Sequence, residues 1–180
     1  MIGCNALHRD FIPNHLICCD RRMAEEATSN THTKNCKIYV RDRWYHYYRK
    51  IKKNKNILKL PDIPFPAKNK SDEADHWGSG PYAVLLACVL DYSDIHLIGF
   101  DLYPWGITVN NIYKGTENYA SSEDRPVDPS FWIYQIFKII GHFADKKFFF
   151  YNSGSWTPPD DWCKDNVQFK NISNLYVDIK

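Results

Sequence analysis

The chain reads as one α/β domain of 180 residues, a mainly parallel sheet flanked by helices in a Rossmann-like arrangement. Three observations predict this class. Short apolar runs at residues 16–20, 37–40, 95–100 and 147–151 have the composition of strands buried on both faces. Segments of helical character separate them. A glycine turn, Gly78-Ser79-Gly80, opens the most apolar of those helices just ahead of one of the strands.

Taken in order, residues 2–7 are expected as a first short strand and residues 16–20 as a second, fully buried one. Residues 21–28 (RRMAEEAT) have helical character, and residues 37–40 make a third strand. The stretch Trp44-Tyr45-His46-Tyr47-Tyr48 is expected as a short helix inside a basic segment. It gives way to Leu60-Pro61-Asp62-Ile63-Pro64-Phe65-Pro66, where three prolines exclude regular structure. The glycine turn then leads into a helix running to about Tyr92. Ser79 is placed to cap it, and Pro81 suits its first turn, where a missing N–H costs nothing. Gly78 and Gly80 are read as letting the backbone turn tightly and approach a ligand.

After the strand at residues 95–100, residues 102–128 form a long polar loop carrying Tyr103, Trp105, Tyr113 and Tyr119. A loop of this length inside a compact domain is more often functional than idle, which points to a lid. Pro129 opens an amphipathic helix over residues 130–142, and residues 152–180 form a C-terminal tail with Trp156, Trp162 and one or two short strands.

Composition bounds the function. Hydrophobic residues make up 44% and aromatics 16%, which excludes a disordered chain. No apolar run is long enough to span a bilayer, and a cytoplasmic protein is expected. The six cysteines sit mostly in apolar stretches without a CxxC pair, so they are expected as buried free thiols and not as zinc ligands or disulfides. Cys18 and Cys19 should point to opposite faces of their strand. The net charge of +2 hides a basic block between Lys34 and Lys70, opposed there only by Asp42 and Asp62. Such a block either attracts an anionic partner or simply solvates the surface.

The candidate chemistry gathers at one edge. The N-terminus of the helix after Gly80 presents free N–H groups to an anion such as a phosphate. Asp20 and Asp101 each end an apolar strand, and in a parallel sheet both ends face the same crevice. There they could meet sugar hydroxyls or a metal, or cap the next helix. His76, beside the glycine turn, is the best placed acid or base among the seven histidines, though it also reads as a polar loop residue.

The sequences Gly78-Ser79-Gly80-Pro81-Tyr82-Ala83 and Ile98-Gly99-Phe100-Asp101-Leu102-Tyr103, with Gly3-Cys4-Asn5-Ala6-Leu7 upstream, resemble the bacterial sialyltransferases of glycosyltransferase family 42. They also resemble related phage and bacterial sialyltransferase-like, pterin-pyrophosphokinase-like proteins. The resemblance implies a cleft that binds a cytidine-monophosphate sugar and transfers the sugar to a hydroxyl of a glycan or other acceptor without a metal cofactor. It implies donor contacts from Asn5, Ser79 and Tyr103, with Tyr113 as a second tyrosine on the donor phosphate. Phenol hydroxyls can donate to a leaving phosphate and stabilise its charge without a cation.

Two departures from the family accompany it. Its first strand and GNGPS-type glycine loop are lacking ahead of Gly3, and the histidine base expected between residues 121 and 132 is missing. Asp124, Asp128 or a displaced histidine such as His76 would have to serve. The expected activity is therefore a sialyltransferase-like glycosyltransferase with a nucleotide-sugar substrate. A pyrophosphokinase-like phosphotransferase, using Mg²⁺ through Asp20 and Asp101, is an alternative. So is a catalytically inactive nucleotide- or anion-binding protein of the same fold. Nucleic acid is not an expected partner, and a homo-oligomer stays open.

Overall fold

The computed structural model describes residues 1–103 and 108–179. It is an α/β protein with two parallel sheets flanked by helices. One sheet has four strands in the order β1 (Ile2–Cys4), β2 (His15–Cys18), β3 (Lys37–Val40) and β4 (Ile57–Lys59). The other has three, β5 (Asp94–Ile98), β6 (Lys147–Asn152) and β7 (Val167–Asn171). Every strand pair among the described residues is parallel. Each sheet runs outward in chain order, as the two halves of a doubly wound fold do.

The four-stranded sheet is buried on both faces, and its strands show how. Leu16 and Cys18 face a core with Ala24, Ala27 and Met23 of helix α1 (Arg21–Ser29). Ile17 and Cys19 face the opposite core, built on helix α3 (Ser79–Val89). β3 alternates the same way, Ile38 and Val40 against Tyr39. A strand apolar at every position is the signature of such two-sided burial. The cysteine pair divides between the faces as expected, and all six cysteines are free thiols.

Helix α3 is buried almost all round, which is why its sequence carries no polar face. It packs on β1 and β2 of one sheet, on β5 of the other, and on helix α4 (Ser130–His142). One core thus underlies both sheets. The α4 face turned to it is Ile136, Ile139 and Ile140, at helical spacing. Pro129 holds the N-cap position of α4, and just ahead of it Asp128 Oδ1 accepts from Ser130 N at 2.9 Å.

Several expected boundaries move. β1 ends at Cys4, because Asn5 takes a φ of +49° and starts a 3-10 turn, Asn5–Arg9, instead of continuing the strand. β4 was not among the expected strands; its three residues follow the basic segment without a pattern long enough to declare themselves. The helix of the basic segment is α2 (Asp42–His46), and it runs directly into a π turn, Tyr47–Ile51. The tail is a working part of the domain. It supplies β7, the one-turn helix α5 (Leu175–Asp178) and the fully buried Trp162, stacked on Phe150 at 4.7 Å.

The basic block is divided. Arg41, only 11% exposed at its side chain, is spent on structure: it donates to the carbonyls of Cys19, Ala74 and Trp77, tying the ends of β2 and β3 to the turn before α3. Lys59 pairs with Asp42 and lies over the Tyr45 ring. Lys50, Lys53 and Lys55 stay exposed.

Candidate functional site

The carboxyl ends of β1 and β2 meet the first turn of α3, and there the chain builds a small polar junction. The left-handed backbone at Asn5, which Asn tolerates better than most residues, turns its side chain toward α3. Asn5 Oδ1 accepts from Ser79 Oγ at 2.9 Å, and the same hydroxyl accepts from Cys19 N at 3.2 Å. Cys4 Sγ donates to the Ser79 carbonyl at 3.3 Å. Ser79 is 7% exposed, so its hydroxyl is fully committed within the protein. It does not cap α3: Gly78 holds the N-cap position, and no side chain completes it.

The two glycines also act differently from expectation. Gly78 has an extended backbone, φ −80° and ψ 166°, not a left-handed one. What requires glycine is Trp132, whose Nε1 would lie 2.7 Å from an added Cβ. Gly80 would meet only the Phe100 ring at 3.5 Å, an ordinary contact.

The polar loop folds down on this junction. Tyr119 Oη accepts from Ala6 N at 3.4 Å, next to Asn5. Burial pushes its phenol above the ordinary range. Tyr113 goes elsewhere: its hydroxyl donates to Asp10 Oδ2 at 2.6 Å, and burial together with that carboxylate pushes it up to about 12. Arg9 lies over both rings, 5.6 Å from the Tyr113 centroid and 5.9 Å from that of Tyr119.

Arg9 is the fastener of this arrangement. Its Nε and Nη2 grip both carboxylate oxygens of Glu26 at 2.6 and 2.7 Å, the two-pronged geometry that suits guanidinium. It also donates to Thr116 Oγ1 and the Glu117 carbonyl, both at 2.8 Å, while Asn118 Nδ2 donates to Glu26 from the loop side. The Arg9 hydrogen bond holds the Glu26 carboxyl below its ordinary range. No spacing in the sequence announces this pair, because it forms only when α1 crosses beside the Asn5–Arg9 turn.

Each of the other expected residues has local partners of its own. Asp20 is exposed at the N-cap of α1 and makes no side-chain cap bond. Asp101 Oδ2 accepts from Asn110, and Trp156 Nε1 donates to the Asp101 carbonyl at 2.8 Å. Tyr103 is 40% exposed, its backbone N donating to the Asp101 carbonyl at 2.6 Å. Trp105 lies outside the described residues. Among the candidate bases, His76 pairs with Glu73 at 3.7 Å and meets the edge of Phe131. Asp124 Oδ2 accepts from Ser121 N at 2.8 Å inside its own turn, and Asp128 Oδ1 accepts from Ser130 N at the start of α4. Among the described residues, no three His, Cys, Asp or Glu side chains are grouped to hold a metal ion, and no helix is long and apolar enough to cross a membrane.

Fold and junction together define an α/β protein with parallel sheets and a polar junction, covered by a loop, at the carboxyl ends of β1 and β2. No protein-family model, curated protein or solved structure matches the chain.

Proposed function

We propose that the chain is a sialyltransferase-like, nucleotide-sugar-binding domain that transfers the sugar to a hydroxyl acceptor. The observation that carries the reading is the meeting of Asn5 with Ser79 at the carboxyl edge of a parallel sheet, with Tyr119 Oη standing on the Ala6 N–H. Open α/β sheets place ligands at that edge. In this reading the Tyr119 hydroxyl holds the place of a ligand oxygen, and lifting the loop exposes the Ala6 N–H and the Asn5 amide to the nucleotide. Tyr103, near the end of β5, and a tyrosine of the loop then donate to the phosphate. The acceptor oxygen attacks the anomeric carbon as its proton passes to water, the bond from that carbon to the phosphate oxygen breaks, and the nucleotide leaves carrying the negative charge that those phenols stabilise.

Calorimetry with cytidine mono- and diphosphate tests the binding step. Saturable binding that is lost in Asn5→Ala is expected; absence of binding by either nucleotide overturns the reading.

A second reading, binding without transfer, is favoured by the state of the candidate bases. His76, Asp124 and Asp128 each have partners outside the junction, so none of them is presented to an acceptor hydroxyl. Mass spectrometry of a cytidine-monophosphate sugar incubated with the chain and a glycan acceptor separates the two. Binding with an unchanged donor selects the inactive form.

A further inference from the structure

A cleft of 460 Å³ opens between α1 and the π turn Tyr47–Ile51. Its volume falls in the range of small-molecule sites, roughly 300–1,000 Å³. The π turn is a rare local geometry that recurs at functional sites. Here it sets the rings of Tyr47 and Tyr48 edge to face at 5.1 Å, Tyr47 half-buried and Tyr48 only 2% exposed. Tyr48 lines the cleft, yet its buried hydroxyl has no hydrogen-bond partner among the described residues.

The rest of the wall selects the ligand. Glu25, steadied by Arg21 Nε at 2.8 Å, can only accept hydrogen bonds; Lys52, whose Nζ lies 5.8 Å from the Tyr47 ring centroid, can only donate. Ser29 and Thr28 can do both. An anion would face Glu25 and a cation would face Lys52. A neutral polyol, whose hydroxyls donate and accept in turn, satisfies every group at once, and a sugar ring can lie its C–H face on Tyr47. A second cleft of 280 Å³ shares Glu25 and Ser29 with the first and continues along α1 to Glu117 and Asn118 of the loop. The trough therefore has room for more than one ring.

We propose that this trough binds a neutral oligosaccharide, with Tyr47 as the ring platform and Glu25, Ser29 and Lys52 as hydroxyl partners. The Tyr47 end of the trough uses no residue of the Asn5 junction, while its far end is walled by Glu117 and Asn118 of the loop that covers that junction. The full chain, applied to an array of neutral and acidic glycans, is expected to bind neutral glycans with little sensitivity to salt. Tyr47→Ala should weaken that binding about tenfold by removing the platform. Glu25→Ala should weaken it about fivefold, the worth of one hydrogen bond. Glycan binding that both variants retain in full overturns the assignment, as does an array with no neutral glycan bound. Binding confined to acidic glycans and displaced by salt, or competition by a zwitterion such as betaine, overturns it equally.

Discussion

The Ser79 hydroxyl donates to Asn5 Oδ1 at 2.9 Å across 74 residues of chain, joining the end of β1 to the first turn of α3. The same oxygen accepts from the Cys19 amide at the end of β2, so one buried hydroxyl links two strands and a helix. The left-handed turn at Asn5 is what aims the amide there.

Removing that hydroxyl should be felt throughout the junction. Ser79→Ala leaves the Cys19 N–H without its partner in a buried place, at a cost of about 1–3 kcal/mol. Asn5→Gly and Asn5→Ala lose the same amide bond, but only alanine must also be forced into positive φ, an extra cost of about 1–2 kcal/mol. Urea unfolding should therefore rank Asn5→Gly above Asn5→Ala. Equal stability would mean that the turn is not held as described.

The two glycines before and within α3 should respond in opposite directions. Gly78→Ala drives a methyl against Trp132 and should cost about 1–3 kcal/mol. Gly80→Ala lies inside the helix with ordinary space beside Phe100, and should be neutral or stabilising by up to about 1 kcal/mol. Thermal melting of the two variants side by side measures both. A matching loss in each would point to a shared need for backbone freedom instead.

Acid should unfasten the loop. The Arg9 hydrogen bond holds Glu26 below the ordinary glutamate value of 4.5, so its contribution is complete above that value. It is lost as pH falls through the lowered value of the folded state. Limited proteolysis between Asn110 and Asp124 should accelerate over that acidic range, and Glu26→Gln should show the faster cleavage already at neutral pH. A loop equally resistant in Glu26→Gln would show that the Tyr119 and Tyr113 contacts suffice to hold it.

Thiol labelling should find one reactive cysteine out of six. Cys163 is exposed, whereas Cys4, Cys18, Cys19, Cys36 and Cys88 are buried or partly buried. Burial pushes Cys19 and Cys36 up to about 11 and Cys4 and Cys88 up to about 12, leaving almost no thiolate to react at neutral pH. A second fast thiol under native conditions would contradict this packing; all six should label once the chain is unfolded in urea.

The long apolar and periodic segments were readable in advance. β3 and α4 fall where their residues placed them, because burial on both faces and a three-to-four-residue apolar stripe leave direct marks on composition. β4 left no such mark, being three residues after a run of lysines. At the site, Asn5 and Ser79 were both foreseen and do meet, though Ser79 serves inside the junction and not as a cap. The choice of tyrosine was not readable. Tyr113 and Tyr119 share one polar loop, and positive-φ turns at Gly115 and Asn118 decide that Tyr119 reaches Ala6 while Tyr113 stops at Asp10.

By itself, then, the sequence determined the α/β class, the parallel strands and the free thiols, all of which follow from local pattern and from which side chains avoid water. Only the tertiary structure decided which polar groups meet. The Asn5–Ser79 bond, the Arg9–Glu26 fastener and the orphaned Tyr48 hydroxyl depend on how distant segments cross, and a hydrogen bond is a matter of a few tenths of an ångström that no spacing along a chain encodes.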